Sequence, residues 1–257
     1  MIIDSHAHIN DEKLRDIREE IISSLNSYGI ERMVEIGFDY ESSKEAFELA
    51  KAHDEVYCAV GIHPHDAKNR FLEHYDYFRS IAPDPKVVAI GEIGLDYFYD
   101  LSERDIQKQV FREQIELAEE LKLPIAIHMR DAFKDVEDIL TDMKSHLSNG
   151  VLIHCYTGSR EFVKVLGKFD CFFALGGAIT FKNAKKEDVI RTIPLDRLLI
   201  ETDSPYLTPV PYRGKPNQPQ YVNLVLDKIA AVLEMDRDAL GNITRENTLS
   251  LYKKMRG

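Results

Sequence analysis

Cysteine is scarce in this sequence. Only Cys58, Cys155 and Cys171 occur among 257 residues, and they stand far apart. No C-x-x-C pair exists, which excludes a cysteine-clamped zinc module and a disulfide framework and fits reduced thiols acting as small buried hydrophobes. Long apolar runs are missing too. No segment approaches the roughly 20 residues needed to span a bilayer. Asp4 and His6 interrupt the first apolar run before it could read as a secretory leader. The expectation is a cytoplasmic protein with no membrane contact. Positive charge is in deficit: 33 Lys and Arg against 44 Asp and Glu leave a net charge of −11. That excludes a broad basic surface for nucleic acid, so any nucleic acid would be gripped locally, helped by bound cations. Low-complexity tracts and repeats are absent, and with 44% hydrophobic and 30% charged residues nothing suggests disorder.

What is present is a beat of short, β-branched-rich apolar runs. They cover Ile2–His8, Arg32–Gly37, Val56–Ile62, Val87–Glu92, Pro124–His128, Val151–His154, Cys171–Gly176 and Leu198–Asp203. Strands buried on both faces look like this. Helical periodicity lies between them. Leu14, Ile17, Ile21, Leu25 and Tyr28 recur at steps of three and four before Gly29. Ser42–Glu45 and Ser102–Asp105 read as helix-opening capping boxes, the second leading a long helix that Pro124 ends. Weaker patterns fit 73–82, 133–146, 161–169 and 185–193, a strong one fits 220–233, and a last helix is expected over 244–254.

Eight strand–helix units in about 250 residues predict an α/β fold, a (β/α)8 TIM barrel with extra C-terminal helices, as a single domain over residues 1–257. A doubly wound sheet is the competitor. It usually opens on a Gly-rich phosphate turn, and His6-Ala7-His8 occupies that place. The proline-rich stretch Ser204–Pro219 follows the last strand and reads as an active-site loop.

In such a barrel, catalytic residues come from the C-terminal ends of several strands. Here those ends carry His6 and His8, His63 and His65, Glu92, His128, His154 and Asp203, which accounts for six of the nine histidines. Alternate residues of a strand share a face, so His6 and His8 would both aim into the barrel mouth. A lone strand-end histidine is commonly a hydrogen-bonded structural residue; six ligand-type residues sharing such positions argue for metal. Imidazole with carboxylate suits zinc, manganese or iron(II) better than calcium. The set exceeds the needs of one tetrahedral ion and would serve two divalent ions about 3.5–4 Å apart. Glu92 would bridge them, with His6, His8 and Asp203 on one ion and His128 and His154 on the other.

Other residues admit two readings each. His63 and His65 would bind substrate phosphate or a leaving group, or brace the loop around Pro64. Asp4 would orient an imidazole, or be a solvated carboxylate. Glu201 shares a face with Asp203 and would support the ligands or pair with a cation in the core. Asp96 and Arg130 would contact substrate or form surface ion pairs. Cys155 should face away from His154, into the core. Tyr97, Tyr156, Tyr206 and Tyr212 lie in rim loops where bases could stack, and Arg213, Lys215, Lys182, Lys185 and Lys186 could meet phosphates.

The motifs DSHAHIN (4–10), GIHPH (61–65), GEIGLDY (91–97), PIAIHMRDA (124–132), IHCYTGS (153–159) and LLIETDSPYLTP (198–209) resemble, in order and over essentially the whole chain, those of TatD-type metal-dependent hydrolases. That family lies in the amidohydrolase-like barrel superfamily. The resemblance implies one or two divalent ions (zinc, manganese, magnesium, iron or nickel) held by His6, His8, Glu92, His128, His154 and Asp203, with glutamate where many relatives use a modified lysine. It also implies deoxyribonuclease activity, often 3′-to-5′ exonucleolytic, while D-aminoacyl-tRNA deacylation has been attributed to some relatives. The expected chemistry is phosphodiester hydrolysis by metal-activated water, with Asp203 accepting its proton and Glu92 holding the metals. Substrates would be DNA or another phosphoester or ester, and no obligate protein partner is inferred. The alternative is ester or amide hydrolysis, which the acidic charge favours mildly. A non-catalytic metal-binding scaffold is disfavoured, because a structural site would be closed to water.

Overall fold

The apolar runs form eight strands, β1 (Ile2–Ala7), β2 (Ile30–Ile36), β3 (Val56–Val60), β4 (Val87–Asp96), β5 (Ile125–Arg130), β6 (Val151–Ile153), β7 (Phe172–Leu175) and β8 (Leu198–Ile200). These come from a computed structural model that describes residues 1–256. The α-helices are α1 (Arg18–Ser24), α2 (Tyr40–Ala52), α3 (Leu72–Ile81), α4 (Arg104–Leu121), α5 (Phe133–Asp142), α6 (Arg160–Leu166), α7 (Glu187–Thr192), α8 (Val222–Leu233) and α9 (Arg237–Leu251). Strands neighbour one another in sequence order and every pair is parallel. The fold is the expected (β/α)8 barrel. Between β8 and β1 no regular ladder forms among the described residues. Single hydrogen bonds join that seam instead: Ser5 Oγ donates to the Ile200 carbonyl (3.0 Å), Asp203 N–H to His6 O (2.9 Å) and His8 N–H to Ser204 O (2.7 Å). Asp4 belongs to this seam. Its buried carboxylate accepts from Thr202 N–H (2.9 Å) and Thr202 Oγ1 (2.6 Å), so it neither faces solvent nor orients an imidazole.

Inward side chains such as Ile3, Val34, Tyr57, Val88, Leu152, Phe172 and Leu199 fill the barrel, and Leu249, Leu251, Tyr252 and Met255 join the same cluster. The end of α9 and the 3-10 turn Lys253–Arg256 thus stopper the barrel. Lys254 is anchored to the carbonyls of Ala82 and Asp84, just before β4, so the stopper sits at the N-terminal end of the strands. Burying each large apolar side chain contributes about 1.5–3 kcal/mol, and the C-terminal mouth is left open for chemistry.

Strand alternation alone would aim His6 the wrong way. Ile3 belongs to the interior cluster, whereas Ala7 and Ile9 belong to the outer layer packed against the helices. A register shift against β2 between Asp4 and Ala7 reverses the facing, and His6 and His8 turn inward. β4 shifts similarly between Ile90 and Ile93. Next to it Gly94 has φ +137°, and a Cβ there would come within 2.1 Å of the His128 carbonyl oxygen, so only glycine lets β4 approach β5.

Helix starts differ from expectation. Asp39 caps α2 and Ser42 closes the box as its third residue, so Ser42 is not the cap. α4 has no side-chain cap; Ser102 instead donates to His65 O (2.8 Å) and accepts from Lys68 N–H (3.2 Å), tying two rim loops together. α9 starts at Arg237 rather than Thr244, capped by Asp236. Asn217 pins the proline-rich loop by donating to Thr202 O and Tyr206 O, both at 2.7 Å. No described helix is long and apolar enough to cross a membrane.

Candidate metal centre

Glu92 sits at the middle of the open mouth and uses its two oxygens differently. Oε2 faces His6 Nε2 at 3.5 Å and His8 Nε2 at 3.7 Å. Asp203 Oδ1 completes this side, 3.8 Å from His6 Nε2 and 3.5 Å from His8 Nε2. Oε1 faces the other side, 2.7 Å from His154 Nε2 and 2.8 Å from His128 Nδ1. Two donor groups therefore share one carboxylate. All six residues are largely buried; His6, His8 and Asp203 form one triad of close ligand atoms, His6, Glu92 and His154 a second, and His128 joins Glu92 and His63 in a third, each with spacings under 4.8 Å.

The outward nitrogens say which inward ones carry lone pairs. His8 Nδ1 lies 3.2 Å from the Ile36 carbonyl and must donate to it, leaving Nε2 free. His128 Nε2 donates to Asp96 Oδ2 at 2.9 Å, leaving Nδ1 free toward Glu92. His6 stacks on His154 with ring centroids 4.0 Å apart, and its Nε2 is only 3.2 Å from His8 Nε2. Nitrogen atoms and carboxylate oxygens this close to one another call for positive charge between them, supplied by protons or by a metal ion. The electrostatics agree. Burial alone would push the His8 pKa down, but the Asp203 hydrogen bond and the Glu92 and Asp203 charges raise it to about 9. Burial works upward on Glu92, yet the surrounding imidazoles hold its carboxyl well below its usual range. Mixed imidazole and carboxylate donors in this arrangement fit a divalent transition metal.

His63 differs from the other four. Its Nδ1 accepts from His65 N–H (3.1 Å), which places the ring proton on Nε2, 3.6 Å from Glu92 Oε1. Distance alone would group it with Glu92 and His128 as a ligand, but its hydrogen bonding makes it a donor toward the cavity. Burial keeps its pKa well below the ordinary histidine value, so the ring is neutral. His65 Nε2 donates to Asp96 Oδ2 (3.1 Å). Asp96 is thus a bracket: Oδ2 takes His65 and His128, and Oδ1 takes the backbone N–H of Phe98 (3.0 Å) and Tyr99 (2.8 Å). It forms no surface ion pair.

Apart from His6, these site residues line an open cavity of about 830 Å³. Arg130 lines it, exposed, with no ion-pair partner among the described residues. Tyr156 does not. Its ring packs 5.2 Å from Phe173 in the core and its hydroxyl donates to Ser159 O (2.6 Å), so it cannot touch substrate. Glu201 is also fully buried and accepts from Cys155 N–H (2.6 Å), 3.6 Å from His154 Nδ1; it supports the ligand layer and does not reach the cavity. Cys155 corrects the opposite way. Its backbone is left-handed (φ 44°), and its side chain lines the cavity. Arg213 lies 3.9 Å over Phe181, Lys186 binds the carbonyls of Thr157 and Gly158, and none of the five basic residues expected near phosphate lines the cavity. Tyr97 is turned to Asp135 and Tyr212 stacks on Tyr221 at 4.5 Å, leaving Tyr206 as the one expected tyrosine on the wall.

Four participants escaped the sequence reading. Lys13, Phe38 and Tyr99 line the cavity. Glu35 is buried on β2 and accepts from Ile9 N–H (2.8 Å) and Asn10 N–H (3.1 Å), holding the turn after His8. A buried acid in the apolar run Met33–Ile36 was the available signal for Glu35; nothing local marks the other three.

Comparison with known proteins places the chain in a family. A family model described as "TatD related DNase" matches residues 3–253. The chain belongs to that family. Among the relatives of this TatD-related chain is an uncharacterized metal-dependent hydrolase, YabD, of Bacillus subtilis, 45% identical over 98% of this chain and 99% of that one. Another is the 3′-5′ ssDNA/RNA exonuclease TatD of Salmonella typhimurium, 31% identical over 92% of this chain and 93% of that protein. In three dimensions the chain is similar to the crystal structure of the TatD homologue YjjV of Escherichia coli, with a TM-score of 0.92, 26% identity and 98% of both chains covered. YabD and the Escherichia coli relative YcfH are both named metal-dependent hydrolases.

Proposed function

We propose that this chain is a metal-dependent phosphodiesterase acting on nucleic acid, most simply a 3′-to-5′ exonuclease on single-stranded DNA. The observation that carries the reading is the division of Glu92 between two donor groups, which suits a bridging carboxylate under a two-ion site. His6, His8 and Asp203 would hold one ion, and His128 and His154 the other. The name borne by the Salmonella relative supports the substrate class.

Divalent ions bound there would supply Lewis acidity to the phosphoryl group and lower the pKa of an attacking water. The chain's own residues do the rest. Asp203 reaches the cavity from a left-handed backbone (φ 56°). Burial would raise its pKa, but the His8 hydrogen bond and neighbouring imidazoles lower it, so it is ionised and accepts the water's proton. His63 Nε2–H donates to a substrate oxygen. Arg130 and Lys13, the two lysine or arginine residues on the wall among the described residues, neutralise phosphate oxygens. With so few cations, a carbonyl ester or amide is the rival substrate.

The test is to incubate manganese- or zinc-loaded protein with 5′-labelled single-stranded DNA, RNA and an aminoacyl ester, alongside Glu92→Gln. We expect a ladder of shortened DNA that chelator abolishes and that Glu92→Gln slows at least about 100-fold. Equal cleavage by Glu92→Gln refutes the site. Turnover of the ester alone refutes the nuclease reading.

A further inference from the structure

We propose that Phe98, Tyr99 and Arg130 form a nucleotide subsite beside the metal centre, with Tyr99 stacking on a base and Arg130 binding the adjoining phosphate. The proposal rests on the nuclease reading and specifies how the strand is gripped. Arg130 ends β5 two residues after His128, and its guanidinium carbon lies 4.0 Å from the Phe98 ring centroid and 4.9 Å from that of Tyr99. No hydrogen bond or ion pair occupies the guanidinium among the described residues, so its five donors are free for an anion. Both residues are more than half exposed, at 56% and 53%, and their rings meet edge to face at 4.9 Å. An exposed aromatic pair carrying an unpaired cation has the two surfaces a nucleotide offers counterparts for, a flat base and a phosphate.

The subsite is fixed to the metal centre by one carboxylate. Asp96 Oδ1 accepts from the backbone N–H of Phe98 and Tyr99, while its Oδ2 holds His128 and His65. Tyr99 also meets the His65 ring edge-on at 5.4 Å and lines the cavity with Arg130, while Phe98 backs the guanidinium from outside. A strand whose reacting phosphate sits over Glu92 would lay its neighbouring nucleotide on this patch.

The experiment compares wild type, Tyr99→Leu, Phe98→Leu and Arg130→Gln on a single-stranded oligonucleotide and on one made abasic at its three terminal positions. Metal content and melting temperature check that each variant is folded and loaded. Wild type should show a KM about 10-fold lower for the base-bearing strand. In Tyr99→Leu that ratio falls to about 1 with kcat little moved. Arg130→Gln should flatten the dependence of log KM on log salt by about 0.7, the contribution of one phosphate contact on a single strand. Phe98→Leu should act in the same direction as Arg130→Gln. A base preference that survives in Tyr99→Leu overturns the proposal. So does a change of oligomeric state with KM unmoved, which would assign the patch to self-association. Failure of wild type to cut any nucleic acid would sink the nuclease reading and the subsite with it, and is distinguishable from cleavage that is indifferent to these residues.

Discussion

Replacing Asp96 by asparagine should weaken metal binding without removing a ligand. Asp96 accepts four hydrogen bonds, from His65 and His128 on Oδ2 and from Phe98 N–H and Tyr99 N–H on Oδ1. Burial would raise its pKa, but those bonds, His128 first, hold it below the usual carboxylate range, so it is a full acceptor at neutral pH. Asparagine has one acceptor oxygen and one donor amide. With the amide toward the backbone, two N–H groups lose their acceptor and face further donors, at about 1–3 kcal/mol each. With the amide toward His128, Nε2 must become the acceptor and the ring proton moves to Nδ1, the atom 2.8 Å from Glu92 Oε1. The first orientation keeps the His128 bond but strains the turn that carries Asp96, and the second no longer holds His128 as a lone-pair donor to the cluster. Removing an outer partner of this kind typically costs about 10–100-fold in metal affinity, or about 1.4–2.7 kcal/mol. Competition against a chromophoric chelator at pH 7 measures this directly. Wild-type affinity in Asp96→Asn would refute the bracket argument, whatever happened to activity.

Two further substitutions separate roles that distance alone confuses. His63→Gln should keep the wild-type metal content, measured by elemental analysis, while kcat falls about 10²–10⁴-fold, as for loss of a proton-donating group; loss of metal would make His63 a ligand instead. Tyr156→Phe removes a buried hydroxyl bonded to Ser159 O at 2.6 Å and should lower stability by about 1 kcal/mol, near 2–4 °C in Tm, with KM and kcat unmoved. A changed KM in a fully folded Tyr156→Phe protein would return that ring to the substrate site.

The barrel was legible because strands covered on both faces must be nearly continuously apolar, so the chemistry-bearing residues ending them stood out against that background. His128 follows Ile125-Ala126-Ile127, and His154 follows Val151-Leu152-Ile153. The layout of the rim was less legible, because it depends on backbone turns that leave little trace in residue type. Period-two reasoning from His154 placed the Cys155 thiol in the core, and a rim-loop position placed the Tyr156 phenol at the mouth. The strand stops at Ile153, however, and the left-handed Cys155 swaps the two sides. Helix boundaries slipped for a related reason. Asp39 and Asp236 cap as well as serine does, yet neither stands next to an apolar periodicity strong enough to advertise it.

The His6-Ala7-His8 triplet shows how a correct inference can rest on incomplete geometry. Two residues apart on a strand do share a face, but alternation counted from Ile3 assigns that face to the helix layer, because Ile3 itself points into the barrel. Only the register shift between Asp4 and Ala7 brings the imidazoles inside. The groups fastening that irregular segment are Asp4, held to Thr202 across the unladdered seam, and Glu35, held to Ile9 and Asn10 just beyond the triplet. Both are buried carboxylates whose pKa burial pushes up, to about 8 and about 7. Two costly acids lie beside one strand end, and each meets backbone N–H groups beyond a strand's end, Thr202 after β8 and Ile9 and Asn10 after β1. Glu92 and Asp203 thus face the cavity, while Asp4 and Glu35 hold β1 so that its histidines can.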